Sequence, residues 1–182
     1  MMLYRLLSVL LDYPNDEVCA HLDEFSDMVR SLEYASEPQR QAITGFVDWA
    51  RAQSPTEWQA KYVQTFDLTP DHSLYLTHHL LEEQDRDRGP TLVKLVEYFR
   101  ACGFEITEGQ LPDYLPLLLE YVSTLPDERN AVSFLRQSHD AIAVVAHNLE
   151  QIDSPYGPLL NVVLEHSSQD AMTRHGLSSQ GS

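Results

Sequence analysis

The chain has 182 residues, of which 43% are hydrophobic, so it is long enough for one domain with a substantial core. Its 28 acidic and 12 basic residues give a formal net charge of −16, which argues against nucleic acid or an anionic membrane surface as a partner. No apolar run reaches the ~18–20 residues of a membrane-spanning helix, so we expect no membrane insertion. An acidic surface instead suits a partner that carries Lys or Arg.

The cysteines and the N-terminus bear on the cellular compartment. Cys19 and Cys102 are far apart and have no CxxC partner, which is typical of small apolar residues in a reducing compartment. The first residues are apolar, but the apolar stretch is short and runs into Asp12. We interpret it as a first helix rather than a signal peptide, and we expect a cytoplasmic protein.

Helix signals follow one another along the chain, and no strand pattern or internal repeat interrupts them. Ser36 is placed to cap a helix, Ser54 and Glu57 form a capping box, and Gly103 is a C-terminal stop. The pattern predicts an all-α fold, a single globular bundle of about nine helices over residues 1–165, and a polar, disordered tail over residues 166–182. The expected helices are approximately Leu3–Asp12, Asn15–Tyr34, Ser36–Trp49, Ser54–Val63, Pro70–Leu81, Thr91–Cys102, Asp113–Leu125, Asp127–Ile152 and Pro155–Glu165.

The segment Pro70–Leu81 is unusual because, as a helix, it would be apolar on two sides. At about 100° per residue, Leu74 and Leu76 point in nearly opposite directions. Such a helix is normally buried, yet this one carries polar aromatic residues at Tyr75 and at the two histidines that follow. These aromatic residues are either hydrogen-bonded members of the core or part of a recognition surface.

The segment Asp113–Leu125 predicts a central helix, since apolar residues cover well over half of its circumference. Asp113 is expected to be its N-cap, because Pro116 then falls in the first turn, where a missing N–H is tolerated. Asp113 and Glu120 lie about 10 Å apart along such a helix, which is long for a pair of catalytic carboxylates. They are either a cap and a solvated residue, or an acidic line beside an apolar groove that suits a basic and apolar peptide.

Metal-dependent chemistry is the enzyme alternative. The adjacent His78 and His79 point about 100° apart on a helix, so they do not form the i, i+4 pair of a helical zinc site. An H…HD…D arrangement of helical phosphohydrolases could use one of them with His139-Asp140 and with Asp153 or Asp170. The dipeptide alone is a weak signal, and a core or groove histidine is the competing interpretation.

The chain resembles the assembly chaperones of respiratory nitrate reductase, the NarJ-type family within the redox-enzyme maturation proteins. The similarity covers about residues 3–165. Where the broader group often has Pro-Asp-His, this chain has Pro112-Asp113-Tyr114, a departure that fits the nitrate reductase branch. The matching segments are Leu10–Pro14, Tyr62–Pro70, Ser73–His79, Asp87–Pro90, Leu111–Pro116 and Ser154–Tyr156.

The resemblance implies a non-catalytic, all-helical chaperone that needs no cofactor of its own. Its client would be the apo catalytic (alpha) subunit of nitrate reductase, bound chiefly through the client's N-terminal segment. The chaperone would support molybdenum cofactor insertion and delay membrane docking, and its partners would extend to molybdenum cofactor biosynthesis proteins. The residues expected to bind the client are Phe66, Asp67, Tyr75, His78, His79, Asp113, Tyr114, Leu115 and Glu120.

Two alternatives stay open beside the chaperone. One is the metal-dependent phosphohydrolase, and the other is a helical adaptor with no role in metalloenzyme maturation. If the chaperone interpretation holds, apolar burial supplies most of the affinity and acidic residues supply orientation and association rate. A histidine beside the groove also predicts binding that changes near pH 6.5.

Overall fold

The computed structural model describes residues 1–32, 35–80 and 86–168. Within these residues the fold is all-α, as predicted, and contains no strand. The described part of the chain has eleven α-helices rather than about nine, and none of them is both long and apolar enough to cross a membrane. In chain order they are α1 Met2–Leu11, α2 Asp16–Ala20, α3 Leu22–Arg30, α4 Glu37–Arg51, α5 Pro55–Tyr62, α6 Thr77–Leu80, α7 Arg88–Ala101, α8 Leu115–Thr124, α9 Glu128–Arg136, α10 His139–Gln151 and α11 Gly157–Ser167.

The strongest local signals place helix ends correctly. Ser36 and Gln39 form a reciprocal capping box at the start of α4, and Ser54 forms another with Glu57 at the start of α5. Gly103 follows the end of α7 with φ of +74°, the left-handed conformation that closes many helices. Each of these ends is set within one turn of chain, so the sequence alone predicts it.

Two of the expected long helices are broken in the structure. The chain leaves the helix between α2 and α3 at His21, whose ring Nδ1 donates to the Glu17 carbonyl oxygen at 2.7 Å. The second break falls at Ser138, between α9 and α10. Apolar periodicity did not reveal either break, because the buried positions keep a helical spacing on both sides.

The predicted continuous helix over Pro70–Leu81 is wrong. The chain forms a π-helical turn over Val63–Asp67 and a 3₁₀ turn over Pro70–His72, and only Thr77–Leu80 is α-helical. Leu81 lies outside the described residues. The intervening residues 73–76 are not helical, and their backbone pairs with that of residues 113–115.

An extended segment explains the apolar pattern that a helix could not. In extended chain, residues two apart point to the same side. Leu74 and Leu76 are each 2% exposed, whereas Tyr75 between them is 37% exposed. The Leu-Tyr-Leu pattern is therefore the alternation of a short strand-like segment at the edge of a helical core.

The prediction that the Asp113–Leu125 region forms a central helix is confirmed, with α8 running over Leu115–Thr124. It packs against α1 and α9, and α11 packs against α4, α9 and α10. Pro116 lies in the first turn as expected, but the N-cap is Tyr114 and not Asp113. Asp113 is occupied by a different contact, described below.

The last helix, α11, continues to Ser167 instead of ending at about Glu165. His166 was expected to begin the polar tail, yet it is buried, and its ring lies 3.1 Å from the Tyr4 hydroxyl oxygen. Residues 169–182 lie outside the described residues, so the predicted disorder of the tail stays a prediction.

Candidate functional site

A surface pocket of about 300 Å³ lies where residues 73–76 meet the start of α8. We call it the tyrosine pocket, since four tyrosines and two aspartates line it. They come from the end of α1, the end of α5, the turns that follow α5, and the chain before α8. The lining residues are Asp12, Tyr13, Tyr62, Asp67, Tyr75, Gly109, Gln110, Leu111 and Tyr114.

The backbone pairing of Tyr75 with Tyr114 builds one wall of the pocket. Leu76 N–H donates to the Asp113 carbonyl oxygen at 3.0 Å, and Leu115 N–H donates to the Leu74 carbonyl oxygen at 2.9 Å. This pairing places the two tyrosine rings in a stack, with centroids 5.0 Å apart and planes 30° apart. Tyr114 lies underneath and Tyr75 faces outward.

A hydroxyl network holds the floor of the pocket. The Tyr114 hydroxyl donates to Asp12 Oδ1 at 2.8 Å and lies 2.6 Å from the Tyr62 hydroxyl. Since the single proton of Tyr114 goes to Asp12, the single proton of Tyr62 lies between the two hydroxyls, and the Leu11 carbonyl oxygen lies 3.2 Å from the same Tyr62 hydroxyl. The network joins the ends of α1 and α5 to the start of α8.

The pocket is acidic at neutral pH. Burial is the main reason that the pKa values of the Tyr62 and Tyr114 phenols are raised above their ordinary value, so both phenols stay protonated. Asp12 and Asp67 are then the charged groups of the lining, which contains no Lys, Arg or His among the described residues. Partial desolvation raises the pKa of the Asp67 carboxyl.

Asp113 fixes the far end of the Tyr75 wall instead of capping α8. Its carboxylate is 2% exposed, and Oδ2 accepts from Thr77 N–H at 3.1 Å and from Thr77 Oγ1 at 2.5 Å. Arg88 Nε donates to the same Thr77 hydroxyl at 3.1 Å. Oδ1 of Asp113 is buried and has no hydrogen-bond partner within the described part of the chain. Asp113 therefore anchors the start of α6, and through it the segment that carries Tyr75.

The structure brings together three of the predicted client-binding residues, Asp67, Tyr75 and Tyr114. Phe66 lies beneath the pocket, where its ring centroid is 4.9 Å from that of Tyr62, and it is buried. Leu115 is fully buried in the core. These last two residues support the pocket but offer no surface to a partner.

The remaining predicted residues lie elsewhere. His79 Nε2 donates to the Ser73 carbonyl oxygen at 2.7 Å, and partial burial lowers the pKa of its imidazole. The His78 ring packs edge-on against it, with centroids 5.3 Å apart. Glu120 forms an ion pair with Arg5 on α1 and does not line the tyrosine pocket.

Sequence reasoning missed Asp12, Tyr13 and Tyr62. All three belong to segments that carry the family resemblance, Leu10–Pro14 and Tyr62–Pro70. Their clustering depends on how α1 packs against α8, which no local pattern contains. The resemblance was thus the only sequence signal that could have pointed to them.

Those residues suggested for a metal-dependent enzyme that the structure describes do not form a metal site. Within residues 1–32, 35–80 and 86–168, no group of three or more His, Cys, Asp or Glu side chains could hold a metal ion. His139 Nδ1 instead lies 2.9 Å from the Ser167 hydroxyl oxygen at the end of α11. Asp170 lies outside the described residues.

The chain is thus an all-α domain with a small acidic and aromatic pocket at its surface. A family model described as nitrate reductase delta subunit matches residues 32–161. The chain therefore belongs to the nitrate reductase delta subunit family.

Curated relatives agree with this family. A probable nitrate reductase molybdenum cofactor assembly chaperone, NarJ of Bacillus subtilis, is 34% identical over 88% of this chain and 85% of its own length. NarJ of Escherichia coli, a chaperone of the same description, is 30% identical over 88% of this chain and 67% of its own length. NarW of E. coli, a probable chaperone of that kind, is 26% identical over 96% of this chain and 73% of its own length.

Proposed function

We propose that this chain is a cytoplasmic assembly chaperone for a nitrate reductase. The observation that carries the proposal is that segments of the family resemblance supply the aromatic and acidic lining of the tyrosine pocket. The relatives described above are named as molybdenum cofactor assembly chaperones and not as enzymes, which supports a binding role without catalysis.

The client is the apo catalytic subunit of the reductase, bound through its N-terminal segment. The tyrosine pocket offers exposed ring surface at Tyr75 together with carboxylates at Asp12 and Asp67. Aromatic side chains supply apolar contact area at low entropic cost, and the carboxylates orient a basic segment. This chemistry suits a short peptide that carries both apolar and basic residues.

Binding of the N-terminal segment delays membrane docking while the molybdenum cofactor is inserted. The chaperone acts by occupying the client and contributes no cofactor of its own. Molybdenum cofactor biosynthesis proteins would approach the client while it is held in this state.

Isothermal titration calorimetry tests the proposal directly. A synthetic peptide of the catalytic subunit's N-terminal segment should bind saturably with one site per chain, and a scrambled peptide of the same composition should not. Absence of any saturable heat at high micromolar peptide would contradict client binding through that segment.

Co-purification from cells tests the identity of the client. The tagged chain should recover the catalytic subunit of a nitrate reductase in its cofactor-free form. Recovery of no molybdoenzyme subunit under conditions that express the reductase would favour the adaptor alternative.

A further inference from the structure

We propose that the tyrosine pocket seats the guanidinium group of a single arginine side chain. The inference rests on the proposed function for the source of that side chain, which is the client's N-terminal segment. It assigns to the pocket a defined ligand chemistry, and the geometry of the pocket argues for it independently of the client.

The two carboxylates of the pocket have no cation beside them among the residues that line it. Among the described residues, the Asp67 side chain makes no hydrogen bond or ion pair. Asp12 Oδ1 accepts from the Tyr114 hydroxyl and from Tyr13 N–H, both at 2.8 Å, whereas its Oδ2 accepts nothing from the described residues. The pocket therefore presents carboxylate oxygens whose charge is not balanced locally.

Some carboxylates of this chain are paired with a cation. Glu120 is paired with Arg5, and Asp23 and Asp48 share Arg51 at 3.0 Å and 2.9 Å. Although acidic residues outnumber basic ones, these sites obtain a cation from within the chain. The tyrosine pocket obtains none from the residues that line it.

The aromatic walls favour a planar cation. Tyr13 and Tyr75 are the lining tyrosines with the most exposed side chains. Tyr13 packs edge-on against Tyr62, with centroids 5.6 Å apart, and Tyr75 is stacked on Tyr114. Arginine is the usual cation over tyrosine faces, since its guanidinium is planar and weakly hydrated and can bond a carboxylate with two N–H groups.

The size of the pocket fits one such group. A volume of about 300 Å³ is about ten times the share of one water molecule in the liquid. It is too small for a folded element of a partner and large enough for one long side chain. Asp67 loses part of its hydration in this setting, so an incoming guanidinium would replace water around a carboxylate that is already partly desolvated.

A direct test uses small model compounds and the intact chain. Nα-acetyl-arginine methylamide at millimolar concentration should shift the ring resonances of Tyr13 and Tyr75 saturably, and the citrulline analogue, which is neutral and nearly isosteric, should not. The lysine analogue should bind more weakly than the arginine compound. Equal shifts with arginine and citrulline, or tighter binding of lysine, would overturn the inference.

Single substitutions test whether the arginine compound binds at the tyrosine pocket. Asp67→Asn keeps the shape of the side chain and should weaken arginine-compound binding about tenfold, since it removes the charge that the guanidinium would contact. Asp140→Asn is the matched control: it makes the same change of charge at an exposed position on α10 that does not line the pocket. An equal loss of affinity in both variants would show that only net charge matters, and would overturn the proposal that the pocket binds a guanidinium group.

A peptide experiment separates this inference from the proposed function. Arginines of the client peptide are replaced one at a time by citrulline. One replacement should weaken calorimetric affinity about tenfold in the wild-type chain and have little further effect in Asp67→Asn. If every citrulline peptide binds as tightly as the original, the chaperone proposal stands and the arginine-binding role of the pocket is refuted. If the arginine compound binds but no peptide does, the pocket binds arginine, and the client's N-terminal segment is not the source of that arginine.

Discussion

Two aromatic regions of this molecule share Tyr62 and differ in what surrounds them. On one side of Tyr62 lies the aromatic core, where Tyr156 is packed against Phe46 and Phe66 with centroids 4.9 Å and 4.8 Å away. The Tyr156 hydroxyl accepts from Trp58 Nε1 at 2.8 Å, so its polar atom is satisfied inside the fold. On the other side lies the tyrosine pocket.

The number of aromatic side chains does not by itself distinguish a stabilising region from a recognition surface. In the aromatic core the hydrogen bond joins two buried side chains and no carboxylate takes part. In the tyrosine pocket the hydroxyl network ends on the exposed side chain of Asp12, and Tyr75 keeps part of its ring surface open. We therefore expect changes in the aromatic core to alter the free energy of unfolding and changes in the pocket to alter affinity.

The largest expected effect is at Trp58, which is 1% exposed in the aromatic core. Trp58→Ala should lower the free energy of unfolding by about 3–5 kcal/mol, because it leaves a large cavity. Trp58→Phe keeps most of the ring volume and should cost less. Urea unfolding followed by circular dichroism measures both. A loss of client affinity in folded Trp58→Phe protein would contradict the division between the two regions.

Asp113 connects stability and recognition, since it anchors the segment that carries Tyr75. Asp113→Ala leaves the Thr77 N–H and hydroxyl without their acceptor and should cost about 1–3 kcal/mol in the free energy of unfolding. Asp113→Asn retains one acceptor oxygen and should cost less. Urea unfolding gives the cost, and calorimetry with the client peptide should show weaker binding in the alanine variant. Unchanged stability of Asp113→Ala would refute the anchoring role.

Tyr75 should affect affinity more than stability. Tyr75→Ala removes exposed ring surface and should weaken client-peptide binding about tenfold. The variant should lower the free energy of unfolding by about 0.5–1.5 kcal/mol, the contribution of one aromatic pair.

Tyr98 provides a matched control for Tyr75. It is 46% exposed and stacked on Phe134 with centroids 5.9 Å apart, and it does not line the pocket. Tyr98→Ala should leave peptide affinity unchanged, although it costs more stability because the Tyr121 hydroxyl also donates to the Tyr98 hydroxyl at 3.2 Å. Equal losses of affinity in the two variants would remove the pocket as the binding surface.

The smallest expected effect is the pH dependence from His79. Burial is the main cause that lowers the pKa of this imidazole, helped by His78 and His72 and opposed by the Ser73 carbonyl bond and by Asp71. Because the unfolded chain then binds the proton more readily than the folded chain, His79 favours folding above about pH 6.5, and this contribution is lost as the pH falls through its lowered pKa.

Thermal unfolding between pH 5 and 8 checks this sign. His79→Gln should flatten the loss of stability on the acid side. His21→Gln is the opposite control, since a backbone carbonyl bond to Glu17 raises the pKa of His21, and its contribution is present at low pH and lost as the pH rises. The same slope in His79→Gln and in the wild-type chain would contradict the assignment. The separate prediction that client binding changes near pH 6.5 stays a prediction.

Much of the fold could be predicted because helix signals are local. The capping boxes at Ser36 and Ser54 and the glycine stop at Gly103 each act within one turn. The apolar circumference of α8 correctly predicted a central helix, since burial on several sides leaves its mark on composition. The breaks at His21 and Ser138 left no mark on apolar periodicity and were missed.

The candidate site was less predictable, because its residues meet only through packing. Tyr75 was singled out as a polar aromatic residue on an apolar segment, and Tyr114 was added with the resemblance, but their stacking requires backbone pairing between segments far apart in the chain. Asp113 looked like a helix cap from its position, and the structure uses its carboxylate to hold Thr77. A polar residue before a helix has several possible partners, and only the fold selects among them.

The helical class, the capped starts of α4 and α5 and the acidic character of the chain follow from residue type and near-neighbour spacing alone. The tertiary structure decided that residues 73–76 are extended and not helical, because burial of Leu74 and Leu76 on one side and backbone bonds to residues 113–115 outweigh local helix propensity. It also decided that Asp12, Tyr62 and Tyr114 form one network, because packing of α1 against α8 brings their hydroxyl and carboxylate oxygens within hydrogen-bond reach.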